Sequence, residues 1–120
     1  MNSFATAPEI GLTGGADERI EALIDITEAL NLIFEEENVA LEENRPEDAA
    51  PLQAEKARLA ADYAQSIRAV AADRGGMAAV DEALLIRLRT ITARFEARAA
   101  RQRALLHGAA DADFPLQHRA

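Results

Sequence analysis

Three glutamates in a row, Glu35-Glu36-Glu37, are the densest concentration of potential chemistry in the chain. Carboxylates at this density raise the question of a bound cation. Consecutive residues of a helix point about 100° apart, so the three cannot converge on one metal ion. Glu35, Glu36 and Asn38 are therefore expected on a solvated face. Glu37 instead falls on an apolar seam, where a polar residue fixes helix register or meets a partner cation. The two histidines, His107 and His118, lack the glutamate three residues earlier that a di-iron helical bundle needs; Ala104 and Pro115 stand there. His107, near a predicted helix end, is expected either to complement the helix dipole or simply to be solvated. There is no Cys, which excludes disulfides, thiolate metal sites and cysteine nucleophiles. No Gly-rich loop follows a strand, no Ser-His-Asp constellation is visible, and Gly75-Gly76 reads as a helix stop. These residues predict no enzyme, no metal site and no cofactor.

Six arginines, Arg87, Arg89, Arg94, Arg98, Arg101 and Arg103, are the one basic concentration. They read either as a solvated face complementing an acidic helix or as a docking surface for an acidic partner. Nucleic acid is not the expected partner. The net charge is -8, and no aromatic residues interleave with the arginines. The charge is also uneven: residues 1–60 carry 14 acids and 4 bases, residues 61–120 carry 7 acids and 9 bases. One half can thus complement the other, through a partner or through pairing between helices.

The elements that must position these groups are helical. The chain of 120 residues suffices for one domain. Of its 59 hydrophobic residues 28 are Ala, which leaves 31 bulky ones, enough for thin helical packing rather than a broad interior. Ala, Leu, Glu and Arg dominate, and all are strong helix formers. Residues 1–15, with Pro8, Gly11, Gly14 and Gly15, show no periodicity and read as a flexible arm. Asp17 is a suitable N-cap. Ile20, Leu23, Thr27, Leu30, Phe34, Glu37 and Leu41 then step by three and four, a heptad seam widened by Ile24, Ile26 and Ile33. Asn44 and Pro46 close this first helix.

Pro46 or Pro51 can open the second helix, whose seam is Leu52, Lys56, Leu59, Tyr63, Ile67 and Val70. Gly75 suits a left-handed cap at its end. The third helix carries Met77, Val80, Leu84, Leu88, Ile91, Phe95, Ala99, Gln102 and Leu106, and His107-Gly108 reads as its end. The prediction is an all-α, up-down-up antiparallel bundle of three long helices, about 17–44, 46–74 and 77–107, with coiled-coil-like packing. A loose tail at 109–120 leaves Phe114 and Leu116 as apolar outliers. The first helix (16–45) has 10 acids and 2 bases, the third (77–110) has 6 bases and 3 acids, so the two should attract if adjacent. No apolar run precedes the first base, Arg19, so no signal peptide is expected. No stretch approaches the ~20 apolar residues of a membrane span, and a cytoplasmic location follows.

Two family resemblances bear on function. The run RIEALIDITEALNLI looks superficially like the first helix of the all-helical chorismate mutases. That chemistry binds a dianion through converging Arg and Lys side chains, whereas the first helix offers only Arg19 and Arg45 among ten acids. The second resemblance is wider. The segment IFEEENVALEENRPEDAAPLQAEKARLAADY resembles the FlgN-type flagellar export chaperones, with Glu37-Asn38-Val39-Ala40-Leu41 closing the first helix and Leu52, Lys56 and Leu59 opening the second. RFEARAARQRALLHGA is similar to the end of that family's last long helix. The likeness spans about Arg19 to Ala109. It implies a cytoplasmic chaperone of the flagellar type III export system, binding terminal helices of hook-filament junction proteins and delivering them to the export gate. The family's client-binding region maps here onto Phe95–Leu116. The expected client residues are Leu88, Ile91, Phe95, Leu105, Leu106, Phe114 and Leu116. One departure concerns gate contact: the family's late tyrosine is absent, and the only tyrosine is Tyr63. A bundle with so few bulky residues should be marginal, and a client helix along an exposed seam would complete its core. Self-association as a homodimer, or as a larger helical scaffold, would satisfy the same seam.

Overall fold

The computed structural model describes residues 15–113, and side chains as far as Gly108. The predicted arm, Gly15 apart, lies outside the described residues, as do Phe114, Leu116 and His118. The architecture is an all-α bundle of three long helices, with no strand among the described residues: α1 (Ala16–Glu42), α2 (Gln53–Ala72) and α4 (Glu82–Asp113). A 3-10 helix (Pro46–Leu52) leads into α2, and a single helical turn, α3 (Arg74–Ala78), precedes α4.

Each boundary has a local cause. Gly15, extended at φ -82° and ψ 176°, caps α1, and the Glu18 carboxylate accepts its N–H at 2.8 Å. Asp17, predicted as the cap, sits inside the first turn. Its carboxylate accepts the Asp81 N–H at 3.2 Å and so ties the start of α4 to the start of α1. At the other end Asn44 takes the left-handed conformation, φ 60°. Its N–H donates to Leu41 O at 3.1 Å, and the Arg45 N–H donates to Ala40 O at 2.7 Å. This is a Schellman closure with Asn in the position that usually holds Gly.

Both prolines fall in the 3-10 segment, Pro46 opening it and Pro51 near its end. The helix proper therefore begins after both, at Gln53. Gly75 is not a left-handed cap: Asp73 breaks α2, and both glycines lie within α3. The Asp73 carboxylate accepts the Gly76 N–H at 2.9 Å and pairs with Arg19 of α1. A Cβ on Gly76 would collide with that carboxylate. The third long helix starts at Glu82 rather than Met77, with Asp81 accepting the Ala83 N–H at 3.1 Å as its cap. It also runs past Gly108 to Asp113, because one Gly costs a helix only ~1 kcal/mol against flanking Ala. Residues 109–113, predicted as loose tail, are thus helical, and His107 lies within α4 rather than in its last turn.

Side-chain bonds give the topology. Asn31 meets Ile91, Asn38 meets Arg98 and Glu42 meets Arg101, a constant offset of 59 or 60 residues, so α1 and α4 run parallel. Glu37 meets Gln53 and Lys56 at one end of α2, and Arg19 meets Asp73 just beyond the other, so α1 and α2 are antiparallel. The interior is layered along the bundle. An aliphatic layer holds Ile20, Ile24, Val80 and Ile91. A middle layer holds Leu30, Ile33 and Leu59, with Phe34, Tyr63 and Phe95 packed on it. Phe95 stands edge-on to Phe34 at 5.3 Å and tilted against Tyr63 at 5.7 Å. Beyond Phe34 the filling becomes polar.

The predicted first seam is buried or half-buried at every position. Two predicted seam residues elsewhere are not: Ile67 and Leu106 are exposed, and Ser66 and Leu105 take their places facing inward. Spacing decides this. Ser66 lies seven residues after Leu59, and Leu105 completes the series 84, 91, 98, 105.

Candidate functional site

Two features stand out: the polar layer, and an open face between α1 and α4. Glu37 is 2% exposed and is the centre of the polar layer. Its carboxylate pairs with Lys56 Nζ at 2.9 Å and accepts from Gln102 Nε2 at 2.8 Å and from Gln53 Nε2. Lys56 Nζ also donates to Gln102 Oε1 at 3.0 Å and lies 4.4 Å from the Phe34 ring centroid, a cation–π contact. Gln102 Nε2 reaches Asn38 Oδ1 at 3.2 Å, and Asn38 Nδ2 donates to Arg98 O at 3.1 Å. All three long helices contribute. The carboxylate is engaged by three donors, an arrangement that holds helices in register rather than one that offers a free base. Of the two roles expected of Glu37, the cation contact is present as Lys56. Asn38 is the correction: it is buried at 6% exposure, not on a solvated face, because it shares with Ile24 and Asn31 a heptad column turned toward α4. Asn31 Nδ2 donates to Ile91 O at 3.4 Å, one heptad before the Asn38 bond. A cleft of about 230 Å³ adjoins this layer, lined by Leu41, Pro46, Ala49 and Leu106 as well as Glu37 and Lys56.

The open face is a groove that no residue of α2 lines. Glu28, Asn31, Leu32 and Glu35 of α1 border a hollow of about 300 Å³ with Ile91, Arg94 and Arg98 of α4. It continues into one of about 200 Å³ bordered by Ile24, Ile86, Arg87 and Thr90. Leu32 and Ile86 are 65% and 52% exposed on its rims. The predicted attraction between the acidic first helix and the basic third is realised across this groove. Arg87 pairs with Glu28 at 3.9 Å and Arg98 with Glu35 at 3.6 Å, and beyond the groove Arg101 pairs with Glu42 at 2.7 Å.

The expected client residues divide between core and surface. Ile91 is buried, Leu88 packs on the aliphatic layer, and Phe95 is held between Phe34 and Tyr63. Of these, Ile91 also floors the groove. Leu105 is half-buried near Leu41 and Arg101 in a shallow hollow at the far end of α4, and Leu106 is exposed beside the polar-layer cleft. Phe114 and Leu116 lie outside the described residues. Leu32 and Ile86 were not read as site residues from the sequence. Their signal was an apolar residue off the seam: Leu32 is flanked one turn away by Glu28 and Glu35.

Among the described residues no group of three His, Cys, Asp or Glu is placed to hold a metal ion. None of their helices is long and apolar enough to cross a membrane. Burial and the nearby Glu96 charge push the Tyr63 phenol above its ordinary value of 10.0. No family model, no curated protein and no solved structure matches the chain.

Proposed function

We propose that this chain is a non-catalytic helix-binding protein, a cytoplasmic export chaperone that receives a terminal amphipathic helix of a hook-filament junction protein and delivers it to the type III export gate. The observation that carries this reading is the open α1/α4 face. Leu32 and Ile86 stand exposed beside hollows of about 300 and 200 Å³ that no residue of α2 covers. A helix laid there would bury both residues and add a fourth member to the bundle, as in helix-in-groove recognition. The resemblance of residues 33–63 to the FlgN-type chaperones supplies the class of client. Binding to a terminal helical segment of a purified hook-filament junction protein is measurable by titration calorimetry. The wild-type chain should bind one segment, and Leu32→Glu should weaken binding at least tenfold, the size of an anchor residue's contribution. Wild-type protein that releases no heat with any such segment, and shows no binding by sedimentation, would overturn the chaperone reading.

A further inference from the structure

The two rims of the open face carry opposite charge. On α1 the exposed stripe runs Glu21, Asp25, Glu28, Leu32, Glu35 and Val39. On α4 the facing rim presents Ile86, Arg87, Arg94 and Arg98. Arg94 has no ion-pair partner among the described residues, although it lies between Arg87 and Arg98, which both have one. Because the helices run parallel at an offset of 60 residues, Arg94 stands level with position 34, beside Glu35.

Such a face is complementary to itself in one orientation only. A two-fold axis parallel to the helices lays α1 of one copy over α4 of the other, acid on base, twice. A two-fold axis across the helices lays α1 over α1 and α4 over α4, acid on acid and base on base, which costs binding. We propose that two copies of this chain associate through the α1/α4 face about a two-fold axis parallel to the helices. Leu32 and Ile86 are then covered in a core of four parallel helices, and each Arg94 meets the partner's Glu35. The second copy supplies both the apolar cover and the matching charges, in the order in which the face needs them. A client helix on the same face would compete with it.

Sedimentation equilibrium on the full chain at low salt, with no client in the sample, tests the dimer separately from the chaperone reading. Wild-type protein should be dimeric. Arg94→Glu and Glu35→Arg should each weaken the dimer at least tenfold while far-UV circular dichroism stays helical, since both side chains are on the surface. Mixed in equal amounts, the two variants should dimerise like wild type, because one contact is then charge-swapped, the other is native, and both pair acid with base. The axis is read separately. The chain has no Cys, so Ala104→Cys gives a single spin-label site near the far end of α4. Parallel copies place the two labels near each other, whereas antiparallel copies place them roughly 40 Å apart along the bundle. A monomer at all concentrations, a mixture that fails to restore association, or the long label distance would each overturn the proposal. A monomer that binds a hook-filament junction helix would assign the face to the client alone.

Discussion

Glu37 and Lys56 are not equivalent partners. The Glu37 side chain is 3% exposed and the Lys56 side chain 25%, so the lysine is the partner closer to water. Removing Lys56 strands a buried carboxylate, whereas removing Glu37 leaves an amine that can turn outward. Lys56→Met should therefore cost ~3 kcal/mol in chemical denaturation, and Glu37→Leu clearly less. The double variant should be more stable than Lys56→Met alone, a coupling that a double-mutant cycle measures directly. Equal losses for the two single variants would mean that the network is hydrated. Tyr63, the only tyrosine in a chain without Trp, gives a second clean signal. Its phenol is held above 10.0 chiefly by burial and then by Glu96. The neutral phenol is thus favoured in the folded state. Its contribution to stability is complete below the unfolded value and is lost as pH rises through the folded one. Ultraviolet titration of the native protein should place the midpoint above 10.0 and above that of the unfolded chain.

The helix ends are where the elements are most open to test. Asn44 closes α1 at φ 60°, a conformation that Gly adopts without steric cost and β-branched residues resist. Asn44→Gly should raise stability by ~0.5 kcal/mol and Asn44→Val should lower it by ~1–2 kcal/mol, read from denaturation midpoints. The three long helices and their up-down-up order were legible in the sequence because the apolar steps of three and four are long and regular. Asn44 as a terminator was legible for the same local reasons. The boundaries near residues 73–82 were not, because Gly75-Gly76 reads as a stop when viewed alone. What holds the glycines inside a turn is the Asp73 carboxylate, itself paired with Arg19, 54 residues away. Asn31, Asn38 and Ser66 were missed because residue type was given more weight than spacing. All three lie one or two heptads from a buried apolar residue, Ile24 or Leu59, and the column buries them whatever their polarity.

At the scale of the molecule the filling of the bundle changes from aliphatic through aromatic to polar along its length. The aliphatic and aromatic layers supply most of the apolar burial. The polar layer and the Asn31 and Asn38 bonds to α4 carbonyls set the register between parallel helices. Register matters because it places Leu32 and Ile86 on the two rims of one continuous groove. The candidate binding surface was only partly legible in the sequence. Of the six arginines read as one basic concentration, Arg87, Arg94, Arg98 and Arg101 border or pair with α1; Leu88, Ile91 and Phe95 lie in or against the core, and the exposed rim residues Leu32 and Ile86 lie off the predicted seams. A helix that binds here should touch position 32 and leave Ile67, 40% exposed on α2, in solvent.

Site-specific photocrosslinking compares those two positions under identical conditions. A photoreactive residue replaces Leu32 in one preparation and Ile67 in another, each mixed with a hook-filament junction protein. The account predicts covalent capture of the client's terminal helix from position 32 and none from position 67. Capture from position 67 with none from position 32 would contradict it.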